Sequence, residues 1–389
     1  MRVLFIIILS LTTHQLIAQT RTFNLVAEML LTHPLDDGST TQYWGYGVVN
    51  GNGSHSMSLP GPLLEINKGD TVVLNFFNDS PEDHTIHLHG LDVNQANDGV
   101  PTTSFSVNSQ QSTTYTFVAN HEGTFLYHCH VLTTLHLTMG MYGMIVVSNY
   151  PDSTLLFDGG PSFTNEYRFL TSDMDLSWNN NTLSIPPMYT FKSNYFMVNG
   201  LSGNQLYNSP NNTVVANQGD SVLLRLGNIA YTKTRYIFPP QLNARAYLSD
   251  GRVLPQSFSC DTLEINAGER YSVLLTPSGN VGIMDDIAVE YYEARNNNLE
   301  HTNYIQLSSN VDVTEIEPLN FTVYPNPTNS ILNFNTVNLG GILKIYDVSG
   351  KEIHQQNITS HNSLLNLSDF ENGFYLLKYN NQTLKIVKQ

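Results

Sequence analysis

Gly123-Thr124-Phe125-Leu126-Tyr127-His128-Cys129-His130 is a run of β-formers that ends in three metal-ligating side chains. Side chains alternate between the faces of a strand, so Cys129 points to one face and His128 and His130 point to the other. Outward from this strand, the nearest stretch of the same kind is His84-Thr85-Ile86-His87-Leu88-His89-Gly90. In strand geometry His87 and His89 share a face and His84 lies opposite them. With the two strands side by side, Cys129 and His84 meet on an inner face and four imidazoles meet on an outer one.

The inner set is extended by His136 and Met141, which follow the Cys129 strand on a loop able to fold back over the sulfur. A thiolate, two imidazoles and a thioether are the ligand set of a type 1 copper, and the outer imidazoles suit further copper ions. Met139 and Met144 compete with Met141 as the thioether, and the four-residue gap after His136 favours Met141. Cys129 has an alternative partner in Cys260, since an exported chain permits a disulfide. The flanking imidazoles favour a metal-bound thiolate. His14, His33, His55, His301, His354 and His361 read as surface or satisfied core residues, and His121 reads as a turn residue.

These residues lie in a segment, from about 40 to 147, that resembles a multicopper oxidase domain of the cupredoxin type. Leu59-Pro60-Gly61-Pro62-Leu63-Leu64-Glu65-Ile66-Asn67-Lys68-Gly69-Asp70 is similar to the family's Pro-Gly-Pro stretch. Asn97-Asp98-Gly99-Val100-Pro101 resembles its Asp-Gly-Val-Pro stretch, and Gly123 to His130 resembles the strand carrying its blue-copper cysteine. The resemblance implies that His84, Cys129, His136 and Met141 are type 1 ligands, that His87 is a type 2 ligand, and that His89, His128 and His130 are type 3 ligands. It also implies that Asp98 is an acid beside the copper cluster that assists proton delivery. The reaction implied takes electrons from a small-molecule or cuprous-ion reductant and delivers them to dioxygen.

Two departures stand beside the match. A complete member of the family brings four His-x-His pairs to its trinuclear cluster from two domains, and this chain has two pairs. The spacing from Cys129 to His136 is two residues longer than in the commoner form. The half-cluster admits three expectations. A two-fold homo-oligomer that faces the outer surfaces of two first domains would complete the cluster between subunits. A nitrite-reductase-like site would use His84, His89 and His128 and would need a further imidazole from the second domain of a neighbour. An electron-transfer or copper-binding protein would need the inner site alone.

The rest of the chain shows a weak repeat. Gly69-Asp70-Thr71-Val72-Val73-Leu74-Asn75-Phe76-Phe77-Asn78 is echoed by Gly219-Asp220-Ser221-Val222-Leu223-Leu224-Arg225-Leu226-Gly227-Asn228. Ungapped, this places Thr234, Ile237 and Pro239 where His84, His87 and His89 stand, and no histidine occurs between His136 and His301. The expected fold is all-β, with two tandem cupredoxin-like Greek-key β-sandwiches. Residues 20–149 hold copper, and residues 150–311 have lost it and bury Cys260 in their core.

Residues 312–389 read as a small third β-sandwich through Tyr324-Pro325-Asn326-Pro327, Ile345-Tyr346-Asp347-Val348-Ser349-Gly350-Lys351 and Asn372-Gly373-Phe374-Tyr375-Leu376-Leu377-Lys378-Tyr379. This segment resembles the sorting domain of the type IX secretion system, which implies export to the cell surface or medium by that machinery. Residues 1–19, with Arg2 ahead of an apolar run from Val3 to Leu11, read as a signal peptide. That run is too short to span a bilayer. The chain has 389 residues, room for two or three domains, and a net charge of −16, which argues against nucleic acid or an anionic membrane as partner.

Overall fold

The structure is a computed structural model that describes residues 19–149, 153–181, 187–279, 281, 284–309, 320–347, 350–380 and 382–389. The expected signal peptide, apart from its last residue, lies outside the described residues.

The first sandwich contains β1 (Thr20–Pro34), β2 (Thr40–Val49), β3 (His55–Ser58), β4 (Leu64–Asn67), β5 (Thr71–Asn78), β6 (His87–His89), β7 (Ser112–Val118), β8 (Gly123–His128), the helix α1 (Thr133–Met139) and β9 (Tyr142–Ser148). One sheet runs in the order β3-β2-β1-β5-β7 and the other in the order β4-β9-β8-β6. β5 alternates strictly, with Val72, Leu74 and Phe76 buried against Trp44, Tyr46, Phe125, Tyr127 and Ile145 from the rest of the sandwich. β8 is buried at every position. A strand loses its polar alternation when both faces are covered, and here Phe125, Tyr127 and Cys129 enter the sandwich core while Leu126 enters a different one.

The second sandwich is built from β10 (Asn165–Met174), β11 (Tyr195–Val198), β12 (Val214–Val215), β13 (Val222–Asn228), β14 (Lys233–Ile237), β15 (Arg245–Ser249), β16 (Arg252–Ser259), β17 (Thr262–Ile265), β18 (Arg270–Leu275), β19 (Ile287–Tyr292), β20 (Leu299–Ile305) and β21 (Leu307–Ser308). Its sheets run β11-β10-β13-β18-β15-β16 and β17-β14-β19-β20, with the short pair β12-β21 beside them. The repeat read from the sequence is present at the level of atoms. β1 runs parallel to β5 as β10 does to β13. The turn before each of these inner strands carries a glycine in the left-handed region, Gly69 at φ 91° and Gly219 at φ 90°. The next aspartate accepts from the amide of Asn67 at 3.1 Å in one turn and of Asn217 at 2.7 Å in the other. Asn78 donates to the carbonyls of Glu82 and Val107, and Asn228 to those of Thr232 and Ile265.

The two sandwiches form one compact unit through residue 310. Leu126, Tyr142, Met144 and Val146 on the outer face of β8 and β9 pack against Leu170, Met174 and Met197 of the second sandwich. Side chains of this size contribute roughly 1.5–3 kcal/mol each when removed from water. The buried guanidinium of Arg270 adds a polar tie, donating to the carbonyl of Thr124 in the first sandwich at 3.4 Å while it donates to that of Gly268 in its own at 2.6 Å. Both cysteines are free, Cys129 in the first core and Cys260 in the second, which removes the disulfide alternative.

Residues 311–389 form a separate unit. Its strands are β22 (Phe321–Tyr324), β23 (Ile331–Thr336), β24 (Ile342–Tyr346), β25 (Glu352–Asn357), β26 (Asn362–Asn366), β27 (Gly373–Tyr379) and β28 (Gln382–Lys388), arranged in sheets β22-β23-β26 and β25-β24-β27-β28. Phe321, Leu332, Phe334, Ile345, Leu377 and Ile386 fill the space between them. Among the described residues, no helix is long and apolar enough to cross a membrane.

Candidate metal centre

The inner group is assembled by backbone pairing. His84 lies in an antiparallel bridge with Val107, its amide donating at 3.0 Å and its carbonyl accepting at 2.9 Å. The segment that follows is pinned by two phenols: Tyr46 donates to the carbonyl of Thr85 at 2.5 Å, and Tyr115 accepts from the amide of Ile86 at 3.0 Å. Cys129 continues β8, and its amide donates to the carbonyl of Met141 at 3.1 Å. The connection between them, expected as a loop, contains the seven-residue helix α1, which carries His136. The longer spacing is thereby absorbed in helical turns that return His136 to the sulfur. Gly140 ends the helix at φ 116°, and a Cβ there would lie 2.7 Å from the carbonyl oxygen of Trp44.

His136 Nδ1 lies 3.1 Å from Cys129 Sγ, His84 Nδ1 lies 3.6 Å from it, and the two nitrogens are 3.3 Å apart. One ion held tetrahedrally at about 2.0 Å from nitrogen and about 2.3 Å from sulfur would set these separations at about 3.3 and 3.5 Å. The donor set therefore fits a shared metal. All three residues are inaccessible to water. Burial pushes His84 down to about 3, with His136 adding to the effect, and pushes His136 down to about 4. Both rings are thus neutral, the form in which imidazole binds a metal. Burial raises the Cys129 thiol. Met139 and Met141 are buried in the core that holds Cys129, whereas Met144 faces the second sandwich and leaves the competition.

The outer group lies on the opposite face. His87 and His128 stand opposite each other across β6 and β8. His87 Nδ1 donates to the carbonyl of Asp98 at 2.7 Å, and His128 Nδ1 to the carbonyl of Cys129 at 3.0 Å, which leaves each Nε2 as the unprotonated nitrogen. His89 Nδ1 is 3.2 Å from His128 Nε2. The donor atoms of His87, His89 and His128 all fall within 4.8 Å of one another. The His130 ring stands beside them, 5.1 Å from the His87 ring and stacked on His128 at 5.9 Å. Burial lowers His128 to about 3, and burial together with the Arg270 charge lowers His89 to about 4.

Asp98 is placed behind His87, with its carboxylate 3.3 Å from Nδ1. The approach of this loop depends on Gly99, at φ 70°, where any Cβ would overlap the carbonyl of Ile86. The Asp-Gly-Val-Pro stretch thus has a physical reading as the support of His87.

The outer imidazoles open into a cavity of about 620 Å³ between the two sandwiches, with Asp173, Tyr231 and Gly268 among the residues of its far wall. Sequence reading missed this wall. A Cβ on Gly268 would lie 3.2 Å from His89 Cε1, so the Asn266–Glu269 turn packs directly on the ring. The available signal was the third Asn-x-Gly-acid turn of the chain, in which Glu269 accepts from the amide of Asn266 at 2.7 Å. Asp173 is fully engaged, accepting from Ser193, Tyr231 and Thr232.

A face-to-face pairing of two first domains meets an obstacle within the chain itself. The outer sheet surface it would use is covered by the chain's own second sandwich. That sandwich offers no imidazole to the cavity. Thr234 pairs with Ile265 as His84 does with Val107, so threonine occupies the place of that histidine. His301 stacks on Phe196 at 5.3 Å, away from the cavity wall. His121 is bound to Arg252, His33 to the carbonyl of Gly200, and His55 to Glu28.

Residues 36–152 match the family described as multicopper oxidase, and residues 322–389 match the secretion system C-terminal sorting domain. Over 248 residues the chain is 28% identical to laccase-7 of Oryza sativa subsp. japonica, covering 61% of this chain and 42% of that protein. It is 25% identical over 205 residues to the copper-containing nitrite reductase of Neisseria gonorrhoeae, covering 51% of this chain and 46% of the relative. The chain thus spans less than half the length of either. The blue copper oxidase of Nitrosomonas europaea shares the fold, with a TM-score of 0.61 at 24% identity over 75% of this chain and 86% of that one.

Proposed function

We propose, for a chain whose residues 36–152 form a multicopper oxidase domain and whose residues 322–389 form a sorting domain, that it is an exported copper-dependent oxidoreductase passing electrons from a reductant to dioxygen. The sorting domain assigns the protein to the cell surface or the medium. Bound copper supplies the one-electron redox chemistry at both histidine sites.

The protein's own residues do the rest. His84, Cys129, His136 and Met141 would hold the first ion in a water-free core, where a fixed donor set would tune its potential. His87, His89 and His128, with the His130 ring beside them, would hold copper on the other face, where the cavity gives a small molecule such as dioxygen room to approach. Asp98 fixes the ring of His87 through its carbonyl and its carboxylate. The reductant is a small molecule such as a phenol, or cuprous ion. The observation that carries this reading is the position of Cys129, whose sulfur belongs to the inner group while the residue on either side belongs to the outer one.

The test is dioxygen consumption by copper-loaded protein with a phenol or cuprous ion, compared with Cys129→Ser. Uptake that disappears in the variant supports the oxidase; a blue protein that consumes none is an electron carrier or copper-binding protein. A nitrite-reductase-like reading is weaker. It requires an imidazole from a neighbour's second domain, and in this chain that domain holds only His301, packed on Phe196.

A further inference from the structure

The family's trinuclear cluster needs eight imidazoles, and the outer face of this chain presents four. The second sandwich faces them with Asp173, Tyr231, Gly268 and Arg295 among its lining residues, and with no imidazole. Asp173 cannot replace one without giving up the four hydrogen bonds that satisfy it. The residues present do not fit a three-copper cluster within one chain.

They fit something smaller. His87, His89 and His128 bring one nitrogen each to a common point, all within 4.8 Å of one another. The closest pair, His89 Nδ1 and His128 Nε2, is 3.2 Å apart, against about 3.3 Å for two nitrogens each about 2.0 Å from one tetrahedral ion. Each ring is held from behind. Asp98 fixes His87 and the carbonyl of Cys129 fixes His128, while the turn at Gly268 packs on His89. His130 adds no nitrogen to this group of donor atoms, although its ring stands 5.1 Å from that of His87 and stacks on His128.

We infer that the outer site is a single-copper centre held by His87, His89 and His128 of one chain and closed by that chain's own second sandwich, with no donor from a second copy. His130 is a flanking ring rather than a ligand. Three imidazole ligands would leave a bound copper room for a small oxygen- or nitrogen-donor ligand from the cavity. The copper-free second sandwich acts as the lid and buttress of this centre. The inference rests on the reading that the outer histidines bind copper.

The experiment is copper loading of the full chain, removal of loosely bound metal, and measurement of copper per chain, electron spins per copper and molecular mass on the same sample. Two coppers per chain are expected, one type 1 and one type 2, both EPR-visible, with the same count in any monomeric fraction. His89→Ala should lose one copper per chain and the type 2 signal while the type 1 signal reports an intact fold. His130→Ala should keep both. EPR-silent copper beyond two per chain, a type 2 signal found only in oligomers, or its loss in His130→Ala would overturn the inference and leave the oxidase reading standing. A type 1 signal accounting for all copper would overturn the inference as well. Absence of any type 1 signal in the wild-type chain would instead bring down the oxidase reading itself.

Discussion

His128 donates its Nδ1–H to the carbonyl oxygen of Cys129 at 3.0 Å. The residue whose sulfur lies in the inner donor set thus touches, through its own backbone, a ring of the outer one. The covalent step between the two residues and this hydrogen bond form a closed link between faces that the strand otherwise separates.

Cys129→Ser should abolish the blue absorption band while leaving the sandwich folded. Serine is nearly isosteric, and the cost is that of burying a hydroxyl, about 1–3 kcal/mol. The check is the visible spectrum of the copper-loaded variant beside its far-UV circular dichroism. A retained blue band would remove Cys129 from the site.

Gly99→Val should weaken the outer site and spare the inner one. The new Cβ would overlap the Ile86 carbonyl, and the φ of 70° is strained for valine, so the Asp98 carbonyl would withdraw from His87 Nδ1. Loss of such a support lowers metal affinity by about 10–100-fold. Competitive copper titration followed by EPR should show the type 2 signal falling and the type 1 signal kept.

Gly140→Ala should act in the reverse sense. A Cβ 2.7 Å from the Trp44 carbonyl, at φ 116°, forces the end of α1 outward and moves His136. Strain of about 1–3 kcal/mol should lower the unfolding midpoint, and the type 1 spectrum should change while the type 2 signal does not.

His33 links the two sandwiches, its Nε2 lying 2.8 Å from the carbonyl of Gly200, and burial lowers its folded pKa. The unfolded chain therefore takes up a proton first, below about pH 6.5. The stability of the neutral form is complete above that value and falls as the pH drops through it. Urea midpoints measured between pH 7.5 and 5 should decline less steeply in His33→Gln than in the wild type; equal slopes would show that His33 does not contribute.

The donor sets were legible because strand parity is a local rule. It sorted Cys129 with His84, and His128 with His87 and His89, before any packing was known. Parity would also have set aside Met144, which lies on the face of Tyr142 and Val146, but the identity of the strand after α1 was not evident from spacing alone. The helix itself was missed because Thr133–Met139 is short and two of its residues are β-branched or poorly helix-forming threonines at the start. The support of His87 by the Asp98 carbonyl depends on a close backbone approach at Gly99, a contact that residue types suggest only as a motif.

By itself the sequence determined the all-β class, the repeat of one sandwich unit, and which side chains could share a metal, because alternation, turn chemistry and ligand type act within a few residues. Only the tertiary structure decided what faces the outer histidines. The Leu126, Met144 and Val146 face of the first sandwich had to be buried against some apolar surface, and the one it meets, around Leu170 and Met197, belongs to the same chain. That choice turns on the summed burial of residues far apart in sequence, and it places a wall without imidazoles, with Gly268 pressed against His89, across the outer site.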